Sequence, residues 1–178
     1  MVSPLTRLLA EHGAVRRGDF VLASGARSKV YVDIKSALTD PMVLSRVARE
    51  IAGRCSFGAV AGVAVGGVPL AVAVSLATGK PHAIVRSGEK GHGTGGRIIG
   101  EVEGLPVLLV EDVTTTGGSV LSAVRLLREA GAVVDRVVTV VDREEGAARR
   151  LAAEGVELIA LVTLADLEAE GEPLTKEG

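Results

Sequence analysis

Residues 107–119, Val107-Leu-Leu-Val-Glu-Asp-Val-Thr-Thr-Thr-Gly-Gly-Ser119, decide the fold. An apolar run ends in two adjacent acids, then passes through three threonines into two glycines and a serine. Val120, Leu121, Val124 and Leu127 follow at helical spacing. This order predicts a buried strand that hands over to a helix through a polar, glycine-loosened turn. Free N–H groups at a helix start favour an anion, and hydroxyls in the same turn add donors. Carboxylates just ahead of the turn can accept hydrogen bonds from sugar hydroxyls. A phosphate beside a sugar diol is the chemistry of a ribose 5-phosphate, and the stretch reads as a site for one. The competing reading is architectural, since α/β domains also carry an Asp-containing strand end and a Gly/Thr turn with no ligand.

Two other phosphate motifs are excluded. Gly62 to Gly67 has the spacing of a Walker A loop, but Val68-Pro69 stand where Lys and Ser/Thr are required. The cluster Gly91-His92-Gly93-Thr94-Gly95-Gly96 runs into Arg97-Ile98-Ile99-Gly100, a strand-like piece rather than a helix, so it is no dinucleotide fingerprint.

At 178 residues the chain is expected to form a single domain with a sizeable core. It is 47% hydrophobic but only 2% aromatic, so Val, Leu and Ala must fill that core. The net charge of −2, with no basic block, argues against nucleic acid as a partner. Cys55 is expected on a helix as a small apolar residue, and a lone cysteine fits a reducing compartment. Neither a secretion signal nor a membrane span is recognisable, so a cytoplasmic location is expected.

Ser3-Pro4 opens a first helix to about His12, with Gly13 as its stop. Val15 to Asp33 reads as short strands broken at Gly18 and Ser24-Gly25, and Asp40-Pro41 caps a helix through about Arg54. Strand and helix then alternate. Strands are predicted near 59–65, 82–86, 107–111, 134–141 and 156–161. Helices are predicted near 68–78, 118–130, 145–154 and 163–170. Continuous apolar runs such as Val107–Val110 and Val137–Val141 suit strands covered on both faces. The expected architecture is an α/β parallel sheet flanked by helices. Residues 1–35 contribute to a small N-terminal hood and 168–178 form a frayed tail. In such sheets ligands bind beyond the carboxyl ends of the strands. Four polar loops meet that condition, at Gly66-Gly67, Arg86, Glu111-Asp112 and Asp142-Arg143. His12 and His82 read as structural.

The Glu111–Ser119 loop resembles the phosphoribosyl-pyrophosphate (PRPP) motif of type I phosphoribosyltransferases. Phe20–Ser28 with Tyr31-Val-Asp33 looks like the N-terminal segment of the orotate phosphoribosyltransferases. Arg86–Thr94 looks like that family's mobile loop, and Asp142-Arg-Glu-Glu-Gly146 like its pyrimidine-side motif. With Gly66-Gly67-Val68-Pro69-Leu70 the likeness extends from about residue 5 to 165. The chain departs from it at Ala23, Ser87 and Gly66, where many members carry lysine. Positive charge around a diphosphate is thereby lost, and Arg27 is a candidate to compensate.

The resemblance implies a type I phosphoribosyltransferase fold and transfer of ribose 5-phosphate from PRPP to orotate, giving orotidine 5′-monophosphate and diphosphate with Mg2+, in de novo pyrimidine (UMP) biosynthesis. It assigns PRPP to Arg86, Lys90, His92, Glu111, Asp112, Val113, Thr114, Thr115, Thr116, Gly117, Gly118 and Ser119, and orotate to Thr115 and Arg143. Lys90, His92 and Asp112 become the expected catalytic residues: the two basic side chains because leaving diphosphate oxygens must be neutralised most strongly in the transition state, and the carboxylate because it can stabilise the positive charge developing near C1. Ser24–Ser28 and Tyr31 are candidates to cover the base. Magnesium is expected on PRPP, bound by phosphate oxygens and water rather than by a protein cage. The loop around Lys90 is expected to reach a neighbouring subunit's site, making the functional unit a homodimer with shared active sites.

Other readings of the same residues stay open. Arg86–Arg97 can be a solvated hairpin tip, Glu111 and Asp112 can pair within the sheet, and Arg143 can pair with Glu144 or Glu145. The rival functions are a transferase for another base and a ligand-sensing regulator without catalysis. The first predicted helix begins at Pro4, which leaves the regulator's DNA-binding segment no expected place.

Overall fold

The computed structural model describes residues 3–21, 27–86 and 96–170, the side chains of residues 17 and 28–30 excepted. Helix α1 (Pro4–Glu11) begins as its sequence predicts, with Ser3 Oγ accepting the Thr6 N–H at 3.1 Å and proline in the first turn. Its apolar face, Leu5 and Leu9, is buried. Strands β1 (Val15–Val21) and β2 (Arg27–Val32) form a separate antiparallel pair, with a register irregularity between Arg17 and Phe20, around Gly18. A single turn of helix, α2 (Ile34–Ala37), follows, capped by Asp33. Helix α3 (Pro41–Ala52) is capped by Asp40, whose Oδ1 accepts the N–H groups of Met42 and Val43 at 2.8 and 3.2 Å.

The alternating segment follows as β3 (Ala59–Val63), α4 (Gly67–Thr78), β4 (His82–Val85), β5 (Ile98–Ile99), β6 (Val107–Thr114), α5 (Gly118–Glu129), β7 (Arg136–Asp142), α6 (Ala147–Ala152), β8 (Glu157–Thr163) and α7 (Leu164–Glu170). The sheet order is β5-β4-β3-β6-β7-β8, parallel except for the short edge strand β5. Successive strands therefore run outward in one direction from β3 and in the other from β6. The β3/β6 boundary is the point where strand order reverses, and there the loops leaving the two carboxyl ends diverge to open a crevice.

Side-chain alternation along β3 and β6 builds one core on each face of the sheet. Val60, Leu108 and Val110 join Val43, Val47, Ile51, Leu70 and Val74 in one cluster. Ala61, Val107 and Leu109 join Val120, Val124 and Leu127 in the other. Each fully buried leucine in these clusters contributes roughly 1.5–3 kcal/mol by leaving water. This rigid base fixes the strand ends that carry the polar loops.

The elements depart from the sequence reading in several places. β6 continues past its predicted end at Glu111 to Thr114, so Asp112, Val113 and Thr114 are also strand residues and the turn into α5 is confined to residues 115–117. Cys55 lies beyond the end of α3 rather than on it, half-buried, with burial raising its thiol pKa. Helix α7 ends at Glu170, as the helix predicted near 163–170 does, so the tail expected from residue 168 overlaps its last turn. His12 caps α1 and His82 opens β4, the structural positions expected of them.

Candidate active site

The crevice at the β3/β6 boundary holds a cleft of about 270 Å³, near the lower end of small-ligand sites (~300–1,000 Å³). Its walls are the end of β3 with residues 64–66, the end of β6, the turn into α5 and the first turn of that helix. Lys35 closes it from α2. The stretch that decided the fold thus lines one continuous surface from Glu111 to Val120.

Glu111 and Asp112 are 7% and 5% exposed. The Asp112 N–H donates to Glu111 Oε1 at 3.1 Å. Burial, reinforced by the hydrogen bond and negative charge of Asp112, pushes the Glu111 carboxyl up to about 9. Glu111 therefore keeps its proton at neutral pH and can donate a hydrogen bond, while Asp112 is the acceptor of the pair. Asp112 Oδ2 lies 3.4 Å from Lys35 Nζ, yet it is buried and makes no hydrogen bond. The contact is thus ionic only. Gly66 packs against the same carboxylate, and a Cβ there would come within 2.3 Å of Asp112 Cγ.

Beyond Thr114 the chain turns at Gly117, whose φ of 76° suits glycine, and enters α5 with no side chain capping the helix start. The first turn lines the cleft and has no side-chain cap, which leaves its N–H groups available to an anion. Thr115, Thr116 and Ser119 are exposed along the cleft and Val113 is half-buried in its wall. Thr114 differs from its neighbours: it is buried, and its hydroxyl donates to Asp142 Oδ1 at 3.2 Å. Asp142 Oδ1 also accepts the Glu144 N–H at 3.0 Å, and Arg143 N–H donates to Thr114 O at 2.9 Å. The carboxyl ends of β6 and β7 are tied together by these bonds.

The expected ligand cations fall in different places. Arg86 directly follows β4 and lines an adjoining cavity of about 230 Å³ with Arg97 and Ser119. Arg143 does not line the cleft; its Nε lies 3.0 Å from Glu145 Oε1, the ion pair that the sequence left open as an alternative. Lys90 and His92, together with Ala23, Ser24 and Ser87, lie outside the described residues. Tyr31 packs against Phe20 in a tilted pair, with ring centroids 5.5 Å apart and planes at 35°. Sequence reasoning missed Lys35, because nothing in the spacing of a single helical turn marks it. Among the described residues no three His, Cys, Asp or Glu side chains converge as a metal site.

An uncapped helix start, two carboxylates and a strand-order reversal define the class, and a family model described as "Phosphoribosyl transferase domain" matches residues 36–156. An orotate phosphoribosyltransferase of Methanoculleus marisnigri is 59% identical over 94% of this chain and 98% of its own length. The chain belongs to the orotate phosphoribosyltransferase family. The crystal structure of the Aeropyrum pernix orotate phosphoribosyltransferase superposes with a TM-score of 0.79 at 41% identity, covering 94% of this chain and 98% of that one. The Mycobacterium tuberculosis H37Rv enzyme, solved in complex with PRPP, gives 0.75 at 35% identity, covering 92% and 96%.

Proposed function

We propose that this chain transfers ribose 5-phosphate from PRPP to orotate, giving orotidine 5′-monophosphate and diphosphate. The observation that carries this reading is the continuous cleft wall from the Glu111–Asp112 pair to the uncapped start of α5. The phosphate goes to the N–H groups and hydroxyls of residues 115–119, and the ribose diol to Glu111 and Asp112. A protonated Glu111 donates to one sugar oxygen while an Asp112 oxygen accepts from a hydroxyl, so the pair offers a diol both a donor and an acceptor.

As the C1–oxygen bond to diphosphate breaks and a bond to the orotate ring nitrogen forms, positive charge grows on the ribose. The Asp112 carboxylate opposes that charge, and cations oppose the charge growing on the leaving group. Arg86, Lys90 and His92 serve the diphosphate in this reading, and Arg143 serves the orotate carboxylate with a guanidinium fork. Arg143 must then leave Glu145 when orotate binds. Thr115 contacts both substrates. Magnesium enters as the counter-ion of the PRPP diphosphate, held by phosphate oxygens and water, and is part of the substrate.

The working unit is a homodimer in which the loop bearing Lys90 completes the partner's site, in the cytoplasm, supplying the UMP pathway. Mixing Lys90→Ala with Asp112→Asn protein should restore activity through hybrid dimers, and no recovery would refute the shared site.

The function is tested by following orotate ultraviolet absorbance after adding protein to orotate, PRPP and magnesium, with uracil, adenine and hypoxanthine run separately. Loss confined to orotate is expected. Faster consumption of another base would reassign the substrate, and no loss with any base while PRPP binds would make the chain a sensor.

A further inference from the structure

Lys35 is the one cation among the described residues that line the cleft, facing two carboxylates. Its backbone is held firmly. Asp33 caps the turn, with Oδ1 accepting the Ser36 N–H at 3.2 Å and Oδ2 accepting the Ser36 hydroxyl at 2.9 Å. Asp33 is itself paired with Arg16 at 2.9 Å. Ile34 and Ala37, on either side, are each 1% exposed and lock the turn into the core. The Lys35 side chain is nonetheless 68% exposed, and its hold on Asp112 is a 3.4 Å ionic contact without a hydrogen bond. A fixed backbone with a loosely held, hydrated ammonium suits a group that changes partner when a ligand arrives.

The direction of that change follows from the two ends of the cleft, and it rests on the transferase reading above. With the 5-phosphate at the start of α5 and the diol on Glu111–Asp112, C1 of the ribose lies on the side away from α5. Apart from β6, the turn and α5, the cleft wall consists of residues 63–66 and Lys35, which are the groups left to meet what C1 carries. The group carried on C1 is a diphosphate. A sugar hydroxyl can give Asp112 Oδ2 the hydrogen bond it lacks, releasing the ammonium.

We infer that Lys35 contacts the diphosphate of PRPP, exchanging Asp112 for a phosphate oxygen on binding. It supplies the positive charge that Ala23, Ser87 and Gly66 withhold at the positions where lysine is common. Arg27, the compensating residue suggested by the sequence, is not among the residues that line the cleft.

The test is calorimetric titration of magnesium diphosphate into the full chain and its Lys35→Ala, Lys35→Arg and Asp112→Asn forms, with the Lys35→Ala/Asp112→Asn double variant. Lys35→Ala should weaken diphosphate binding roughly tenfold, and Lys35→Arg should stay within about threefold of the parent. The loss should persist when Asp112 is already Asn, because the contact is with the ligand. Unchanged affinity in Lys35→Ala, or no binding by the parent chain, would overturn the inference. So would a loss that vanishes in the Asp112→Asn background, since Lys35 would then act only by neutralising Asp112. The titration contains no orotate, so diphosphate binding through Lys35 in a chain that consumes no orotate would fail the base assignment alone. Orotate turnover without any Lys35 effect would fail this inference alone.

Discussion

Asp112 closes over Gly66 so tightly that a Cβ on Gly66 would lie 2.3 Å from Asp112 Cγ and 2.4 Å from each carboxylate oxygen. The Gly66 backbone is right-handed helical, with φ −64° and ψ −36°, and any residue can adopt it. The glycine is therefore required by the space that Asp112 occupies, not by the backbone. In this chain the glycine, which looked like a lost charge in the sequence, gives Asp112 room to pack against the β3 loop.

Gly66→Ala should consequently displace the Asp112 carboxylate while leaving the backbone in place. Turnover should fall by as much as roughly 10²-fold, the scale of a misplacement near 1 Å in a catalytic group. Steady-state kinetics alongside thermal unfolding would show activity lost with the melting temperature nearly kept. Normal turnover would mean that Asp112 does not act from this position.

Gly117 makes a different demand, because its φ of 76° and a Cβ distance of 3.1 Å to Ala147 Cα both oppose a side chain. Gly117→Ala should cost roughly 1–2 kcal/mol of stability from the left-handed backbone alone. It should also raise the KM for PRPP more than that for orotate, since it twists the amides assigned to the 5-phosphate. Urea unfolding and paired KM measurements check the two parts separately.

The raised carboxyl of Glu111 makes stability depend on pH. The folded chain keeps this proton to about pH 9, whereas an ordinary glutamate, at 4.5, releases it far earlier. Between those values folding takes up a proton, so the contribution of Glu111 is complete below about pH 4.5 and is lost as pH rises through about 9. Glu111→Gln removes the titration. Urea unfolding at about pH 5, 7 and 9 should show a shallower fall in stability for the variant than for the parent. Parallel curves would show that Glu111 titrates normally.

Arg143 is paired with Glu145 at 3.0 Å and must turn to reach the base carboxylate. Arg143→Ala should raise the orotate KM roughly tenfold, with a smaller change for PRPP. Glu145→Gln should leave the orotate KM unchanged or lower it, because the arginine is released. Equal rises for both substrates in Arg143→Ala would contradict the division of the cleft.

Local sequence order revealed much of this molecule. Ser3-Pro4 and Asp40-Pro41 start their helices because the capping bonds form between near neighbours. The runs at Val107–Val110 and Val137–Val141 became inner buried strands because they are almost wholly apolar, the one hydroxyl, on Thr139, being satisfied by Val141 O. What escaped the sequence depends on contacts between distant residues or on elements too short for periodicity. Helix α2 is one turn long and carries no repeat, so Lys35 was invisible as a cleft residue. The continuation of β6 through Thr114 relies on pairing Thr114 with Asp142, and its polar residues read as loop when taken alone. The Gly66–Asp112 approach joins two strand ends, and only the folded sheet brings them together.

The central claim is that one cleft at the β3/β6 boundary holds PRPP across the Glu111–Asp112 pair and the start of α5. A crystal structure of the chain with PRPP and magnesium tests it most directly. The 5-phosphate should lie on the N–H groups of residues 115–119, with the ribose hydroxyls on Glu111 and Asp112. PRPP seated instead between Arg149 and Arg150 in the neighbouring α6 groove, with the Glu111–Asp112 pair untouched, would contradict the account.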